Sequence, residues 1–142
     1  MALLSDDVVS QLKDEFQALQ GPVTLAVAFQ ALQDPESEEV KRLVEEVAAL
    51  DPKLSVEEVN FVLDKERVLA LGFTRTPAVA VLGKDKDHGI RLYGLPSGYE
   101  FGTLIDAILL VSRGESGLGE ETKAALRELA RPVHVQVFST PT

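Results

Sequence analysis

Residues 6–19 (DDVVSQLKDEFQAL) set Val8, Val9, Leu12, Phe16 and Leu19 on one stripe at helical spacing, and Gly21-Pro22 stops the helix that this stripe predicts. Val23–Phe29 (VTLAVAF) is almost wholly apolar, as a strand buried on both faces should be. Helical spacing returns over 37–50, with Val40, Leu43, Val44 and Val47, and ends at Asp51-Pro52. Leu54–Phe61 is the second strand. Its apolar positions change phase between Val56 and Val59, which predicts a bulge or an early end. A short helix over 64–71 follows, with Gly72 as its C-terminal cap.

From there the alternation gives way to a hairpin. Ala78–Leu82 and Ile90–Tyr93 flank GKDKDHG, a connection too short for a crossover helix, so these two strands must pair antiparallel. A helix over 99–112 then turns Phe101, Leu104, Ile105, Ile108 and Leu109 to the core. The order implies an α/β unit with a mixed sheet and helices on both faces. Next, GLGEETKAALRELARPVHVQVF repeats the grammar of DDVVSQLKDEFQALQGPVTLAVAF: an amphipathic helix with an acidic start, a proline, then an apolar strand ending in Phe. Val133–Phe138 is thereby expected as a strand, Ser139–Thr142 as a turn, and a helix over 120–130 as a tether to the first unit through Leu126 and Leu129. The expected division is residues 1–114 as one unit, and 115–142 as linker, helix and first strand of a second.

Composition narrows the chemistry. The formal charge of −9 repels phosphate backbones and anionic membrane surfaces, so neither nucleic acid nor a membrane is an expected partner. The start MALLSDDVV carries acids where a signal peptide carries Lys or Arg, and a cytoplasmic location is expected. Cysteine is absent, which excludes disulfide staples, thiolate metal sites and thiol chemistry by this chain. His88 and His134 lie far apart, without the spacing of a metal cluster. No catalytic residue, metal ligand or cofactor-binding residue is assigned.

The segments RTPAVAVL (75–82), RLYGLPSGYEF (91–101), LVSRGESGL (110–118) and PVHVQVFSTPT (132–142) resemble the glutaredoxin-like protein disulfide oxidoreductases, built of two tandem thioredoxin-fold units. The chain is also similar to the N-terminal domain of the alkyl hydroperoxide reductase flavoprotein subunit, which has the same tandem architecture. The resemblance implies a thioredoxin/glutaredoxin-like fold with a four-stranded mixed sheet. In that family the Cys-x-x-Cys of the second unit follows a stretch like FSTPT, so the resemblance implies that this sequence stops just before it.

In the first unit, a thioredoxin-type dithiol sits where the first strand meets the next helix, because free N–H groups and the helix dipole stabilise a thiolate there. Counting into the chain, this degenerate Cys-x-x-Cys position falls on Asp34, Pro35, Glu36 and Ser37. Asp34 is suited to cap the helix with Pro35 at its first position, and Glu36, Glu38 and Glu39 oppose the dipole. The other use of such a cluster is a carboxylate site for a cation or for a partner's basic patch. The resemblance further places a cis proline at Thr76-Pro77. GLPSG (94–98) lacks the spacing and the Lys of a phosphate loop and reads as a turn.

Two functions stay open. One is a redox-inert N-terminal unit of a disulfide oxidoreductase, a scaffold or docking module whose parent carries thiol-disulfide exchange on a missing C-terminal unit. The alternative is a stand-alone protein-interaction module unrelated to redox chemistry. On either, the chain as given is no enzyme. The expected partners are a protein or the C-terminal thioredoxin unit, with a homodimer through Val133–Phe138 as a further expectation.

Overall fold

The computed structural model describes residues 2–32 and 34–140. The first helix, α1, spans Asp6–Glu15 and tightens into a 3-10 turn over Phe16–Ala18. The Ser5 side chain accepts from the Val8 N–H to cap it, and Leu12 and Phe16 face the core. The sheet and remaining helices follow as β1 (Val23–Phe29), α2 (Pro35–Ala48), β2 (Leu54–Asn60), α3 (Lys65–Leu71), β3 (Ala78–Gly83), β4 (Asp87–Tyr93), α4 (Tyr99–Arg113) and α5 (Glu120–Arg127).

The four strands lie in the order β2-β1-β3-β4, with β1 parallel to β2 and the other pairs antiparallel. The mixed sheet expected from the pattern is therefore present. Two cores sit on its two faces. Val23, Leu25 and Val27 of β1 and Val79 and Val81 of β3 pack under α1, α2 and α4. Ala26, Ala28, Ala78 and Ala80 face the other way, where α3 supplies Val68 and Leu71. Large residues thus meet three helices, and alanines let one helix lie close. Both faces of β1 and β3 are buried, which is why their sequences are nearly continuous apolar runs, with Thr24 at the half-buried second position of β1.

Several expectations are corrected. No bulge or early end interrupts β2, whose register with β1 runs unbroken from Val23 opposite Leu54 to Phe29 opposite Asn60. The phase change arises because Leu54 and Val56 belong to one core and Val59 to the other. The irregularity lies instead in the hairpin, between Ala80 and Leu82. There β4 begins at Asp87, so most of the expected connection is strand. Helix α2 begins two residues before its expected start, at Pro35. Gly72 adopts φ +69° and caps α3 as expected, since a left-handed residue must end the helix there.

The largest departure is at the C-terminal side. Residues 133–138, expected as a strand, carry no regular secondary structure, and Val133, Val135, Val137 and Phe138 are 64%, 77%, 86% and 89% exposed. Alternating valines supply propensity, but a strand exists only when its N–H and C=O groups find an edge to pair with. Residues 141 and 142 of the expected turn lie outside the described residues. Helix α5 ends at Arg127 and buries no side chain, with Leu126 and Leu129 half exposed, so the expected tether is not a packed one. Among the described residues nothing after Ser112 is buried, and α4 closes at Gly114 (φ +71°). No helix among the described residues is long and apolar enough to cross a membrane.

Candidate functional site

The C-terminal ends of β1 and β2 and the start of β3 lie at one end of the sheet, and Asp34, Pro35, Glu36 and Ser37, expected as the degenerate Cys-x-x-Cys position, lie there with Thr76-Pro77. Asp34 sits just before α2, outside the helical region (φ −132°, ψ 81°), with Pro35 at the first helical turn. Its Oδ1 accepts from the Ser37 N–H at 3.1 Å. Its Oδ2 accepts from the Ser37 hydroxyl and, at 3.3 Å, from the Thr76 hydroxyl. The cap expected from Asp-Pro is therefore formed, and it reaches across to the proline loop, where the Thr76–Pro77 peptide bond is cis.

Ser37 is fully buried, the one side chain of the four enclosed in this way. A hydroxyl in such a place needs partners for its donor and its acceptor. The donor goes to Asp34, and the oxygen accepts from the Gln30 N–H at 3.3 Å, closing the end of β1. Glu36 turns outward to the next loop, where its Oε1 accepts from the Leu95 N–H at 3.1 Å. The Gly94 N–H donates to the Pro77 carbonyl at 2.9 Å, so the loops before β3 and after β4 are joined beside the site.

The electrostatics follow the same geometry. The Ser37 hydroxyl is the largest influence holding the Asp34 carboxyl below its ordinary value. Partial loss of water opposes it, and the Ser37 N–H, the Thr76 hydroxyl and the Glu36 N–H act with it. Asp34 is thus a carboxylate whose charge is already engaged by the Ser37 N–H and by the Ser37 and Thr76 hydroxyls. The Ser37 hydroxyl is buried and its proton is held by a carboxylate of lowered pKa, a weak base, so the arrangement closes the helix end rather than exposing an activated nucleophile. Among the described residues no group of three or more His, Cys, Asp or Glu is placed to hold a metal ion.

Sequence reasoning located Asp34, Ser37 and Pro77 but missed what fastens the proline loop. Tyr93 at the end of β4 does this. Its hydroxyl accepts from the Thr74 N–H at 3.3 Å and donates to the Gly72 carbonyl, while the Arg75 guanidinium lies 4.2 Å from the centre of its ring. The only sequence signal was a tyrosine at the end of the strand DHGIRLY. Leu32, Val62 and Leu63 also stand exposed in the loops that leave β1 and β2 at this end, Leu32 and Leu63 at 78%.

No model of a protein family matches the chain. Among curated proteins it is similar to a protein named NADH dehydrogenase from Ferdinandcohnia aciditolerans, 34% identical over 110 residues, covering 78% of this chain and 18% of that one. It is also similar to an alkyl hydroperoxide reductase subunit of Staphylococcus aureus, 26% identical over 140 residues, covering 99% of this chain and 25% of the relative. The chain therefore spans a quarter or less of the length of the curated relatives it matches. Among solved structures, a protein disulfide oxidoreductase from Aeropyrum pernix superposes with a TM-score of 0.80 at 26% identity, over 91% of this chain and 56% of that one. The NTD_N/C domain of alkylhydroperoxide reductase AhpF from Enterococcus faecalis gives 0.77 at 27% identity, over 85% and 58%. The fold is the thioredoxin fold, and the expected resemblance to both groups is present.

Proposed function

We propose, from the thioredoxin fold and the likeness to disulfide oxidoreductases and to the alkyl hydroperoxide reductase flavoprotein subunit, that this chain is a redox-inert thioredoxin-fold unit. On this reading it is the N-terminal unit of a larger oxidoreductase, and it works as scaffold or docking module for a second unit that carries Cys-x-x-Cys. The observation that carries the reading is the Asp34, Ser37 and Thr76 cluster. Where the fold would present a thiolate, the helix N-terminus is closed by a carboxylate that also holds the proline loop. Thiol-disulfide exchange proceeds by thiolate attack on sulfur, and the chain has no cysteine to make that attack.

The repeat of helix, proline and apolar segment over 120–138 supports a second unit that begins at about residue 115. In the first copy the matching segment is β1, the central strand that pairs on both sides. In the second copy Val133–Phe138 has that composition and no partner strand among the described residues. We propose the partner to be the second unit's own sheet, or, for the chain by itself, the same segment of a second copy. The reading also takes the chain to be cytoplasmic. The exposed Leu32, Val62 and Leu63 around the closed site favour protein docking at that end, and they would serve equally in a stand-alone interaction module.

The test is insulin reduction by the pure chain in the presence of dithiothreitol. The expected rate equals the dithiothreitol background. A rate above it that scales with protein concentration would overturn the redox-inert reading.

A further inference from the structure

Strand β2 is terminal in the sheet, so one side of its N–H and C=O ladder has no strand against it. The chain's own turns take up both ends of that side. The Leu54 N–H donates to the Asp51 carbonyl at 3.0 Å, and the Asn60 N–H to the Asp64 carboxylate at 2.7 Å. Because alternate N–H groups of a strand face the same side, those of Val56 and Glu58 are the outward donors left between these two. The open part of the edge is its middle.

Two consecutive acids stand there. Glu57 and Glu58 lie opposite Ala26 and Val27 of β1, both fully buried, and point to opposite faces of the sheet. On the α2 face, Glu58 accepts from Lys41 Nζ at 2.8 Å, and the same ammonium lies 4.8 Å from the centre of the Phe29 ring. On the α3 face, Arg67 donates to both oxygens of Glu57, its Nη2 at 2.8 Å. Arg67 is the chief influence holding the Glu57 carboxyl below its ordinary pKa, and Glu58 the chief one raising that of Lys41, so both pairs are charged at neutral pH. Neither pair is enclosed, since the Glu57 and Glu58 side chains are 34% and 49% exposed. A strand added along β2 would cover both pairs with its side chains and take them from water, which costs more than their attraction returns unless every remaining group is satisfied. The cations reach the strand from helices on long side chains that can turn to solvent, whereas the two acids belong to the strand itself. The chain also carries an exposed, strand-prone segment, Val133–Phe138, to which an apolar edge would be open in every other copy.

We propose that Glu57 and Glu58 close the β2 edge to strand addition, so that neither a second copy nor an extended segment of another protein continues the sheet there. The proposal is independent of the redox-inert reading, since it uses no residue of the Asp34 cluster. The test compares two double variants that break the same two ion pairs. E57T/E58V removes the acids from the strand, while K41Q/R67Q removes the cations from the helices and leaves both carboxylates on the edge. Sedimentation velocity and amide hydrogen exchange of the full chain, at equal concentrations, are the measurements. E57T/E58V is expected to associate beyond the unaltered chain, with the amides at positions 56 and 58 exchanging about tenfold or more slowly, and K41Q/R67Q to match the unaltered chain in both. Should E57T/E58V fail to fold, E57Q/E58Q, which keeps the side-chain volume and removes the charge, carries the same comparison. The proposal is overturned if removal of the acids leaves association and exchange unchanged, or if the added association leaves positions 56 and 58 unprotected. It is also overturned if K41Q/R67Q associates as strongly, which would reduce the ion pairs to fastening α2 and α3 to the sheet.

Discussion

The Thr76 hydroxyl donates to the Asp34 carboxylate across 3.3 Å, joining the residue that caps α2 to the residue before the cis peptide bond at Pro77, although 42 positions separate them in the chain. One side chain thereby closes a helix end and anchors a loop of another element.

Asp34→Ala should lower stability by about 0.5–2 kcal/mol, the usual cost of losing an N-cap side chain, and toward the upper part because Ser37 and Thr76 each lose an acceptor. Urea denaturation at neutral pH measures it. A midpoint equal to that of the unaltered chain would show that the cap contributes nothing.

The charge on Asp34 has its own signature. Its folded pKa lies below the ordinary 3.8, so the native state holds this proton less tightly than the unfolded chain does. Its stabilisation is then complete above the ordinary carboxyl value and declines as pH falls through the depressed one. Asp34→Asn keeps a capping oxygen but not the charge. The stability gap between this variant and the unaltered chain should be open at neutral pH and narrow below about pH 4. A gap that is constant with pH would contradict the assignment.

Ser112 offers a test of the scaffold away from the site. It is buried near the end of α4, where its Oγ accepts from the Gln20 and Gly21 N–H groups and donates to the Gly21 carbonyl, joining α4 to the turn before β1. Ser112→Ala should cost about 1–3 kcal/mol because it strands these backbone groups. Thermal or urea unfolding reads the loss, and an unchanged midpoint would mean that water replaces the hydroxyl.

The exposed segment Val133–Phe138 predicts an oligomeric state. Its valines fall on one face of an extended chain, and His134 is its only titratable side chain, so little opposes edge-to-edge pairing. Sedimentation velocity should show a dimer that becomes monomeric when residues 133–142 are deleted. A monomer at high micromolar concentration would defeat this pairing.

What was legible in the sequence was local or one-faced. Val23–Phe29 could be placed because a strand buried on both sides reads as a nearly unbroken apolar run, and Asp34-Pro35 because cap and first-turn preferences act within one turn. The phase change in Leu54–Asn60 was legible but ambiguous, since the same letters suit a bulge or a strand feeding two cores. Val133–Phe138 misled because composition states a willingness to pair and not the presence of a neighbour. The bonds from Thr76 to Asp34, from Tyr93 to the 72–74 turn, and from the Arg91 guanidinium to the Leu71 carbonyl join residues that only the folded sheet brings together.

On the proposed reading, Asp34 and Ser37 occupy, in closed form, the position of the fold's dithiol. The double variant Asp34→Cys/Ser37→Cys addresses this without intermediaries, because it places two sulfurs at the start of α2, one at the half-buried cap and one at the buried position, opposite Thr76-Pro77. Free-thiol titration after mild oxidation, followed by insulin reduction, is the measurement. An intrachain disulfide is expected in the variant, with reduction above the dithiothreitol background by the variant but not by the unaltered chain. Two free thiols that never pair and never react would contradict the reading.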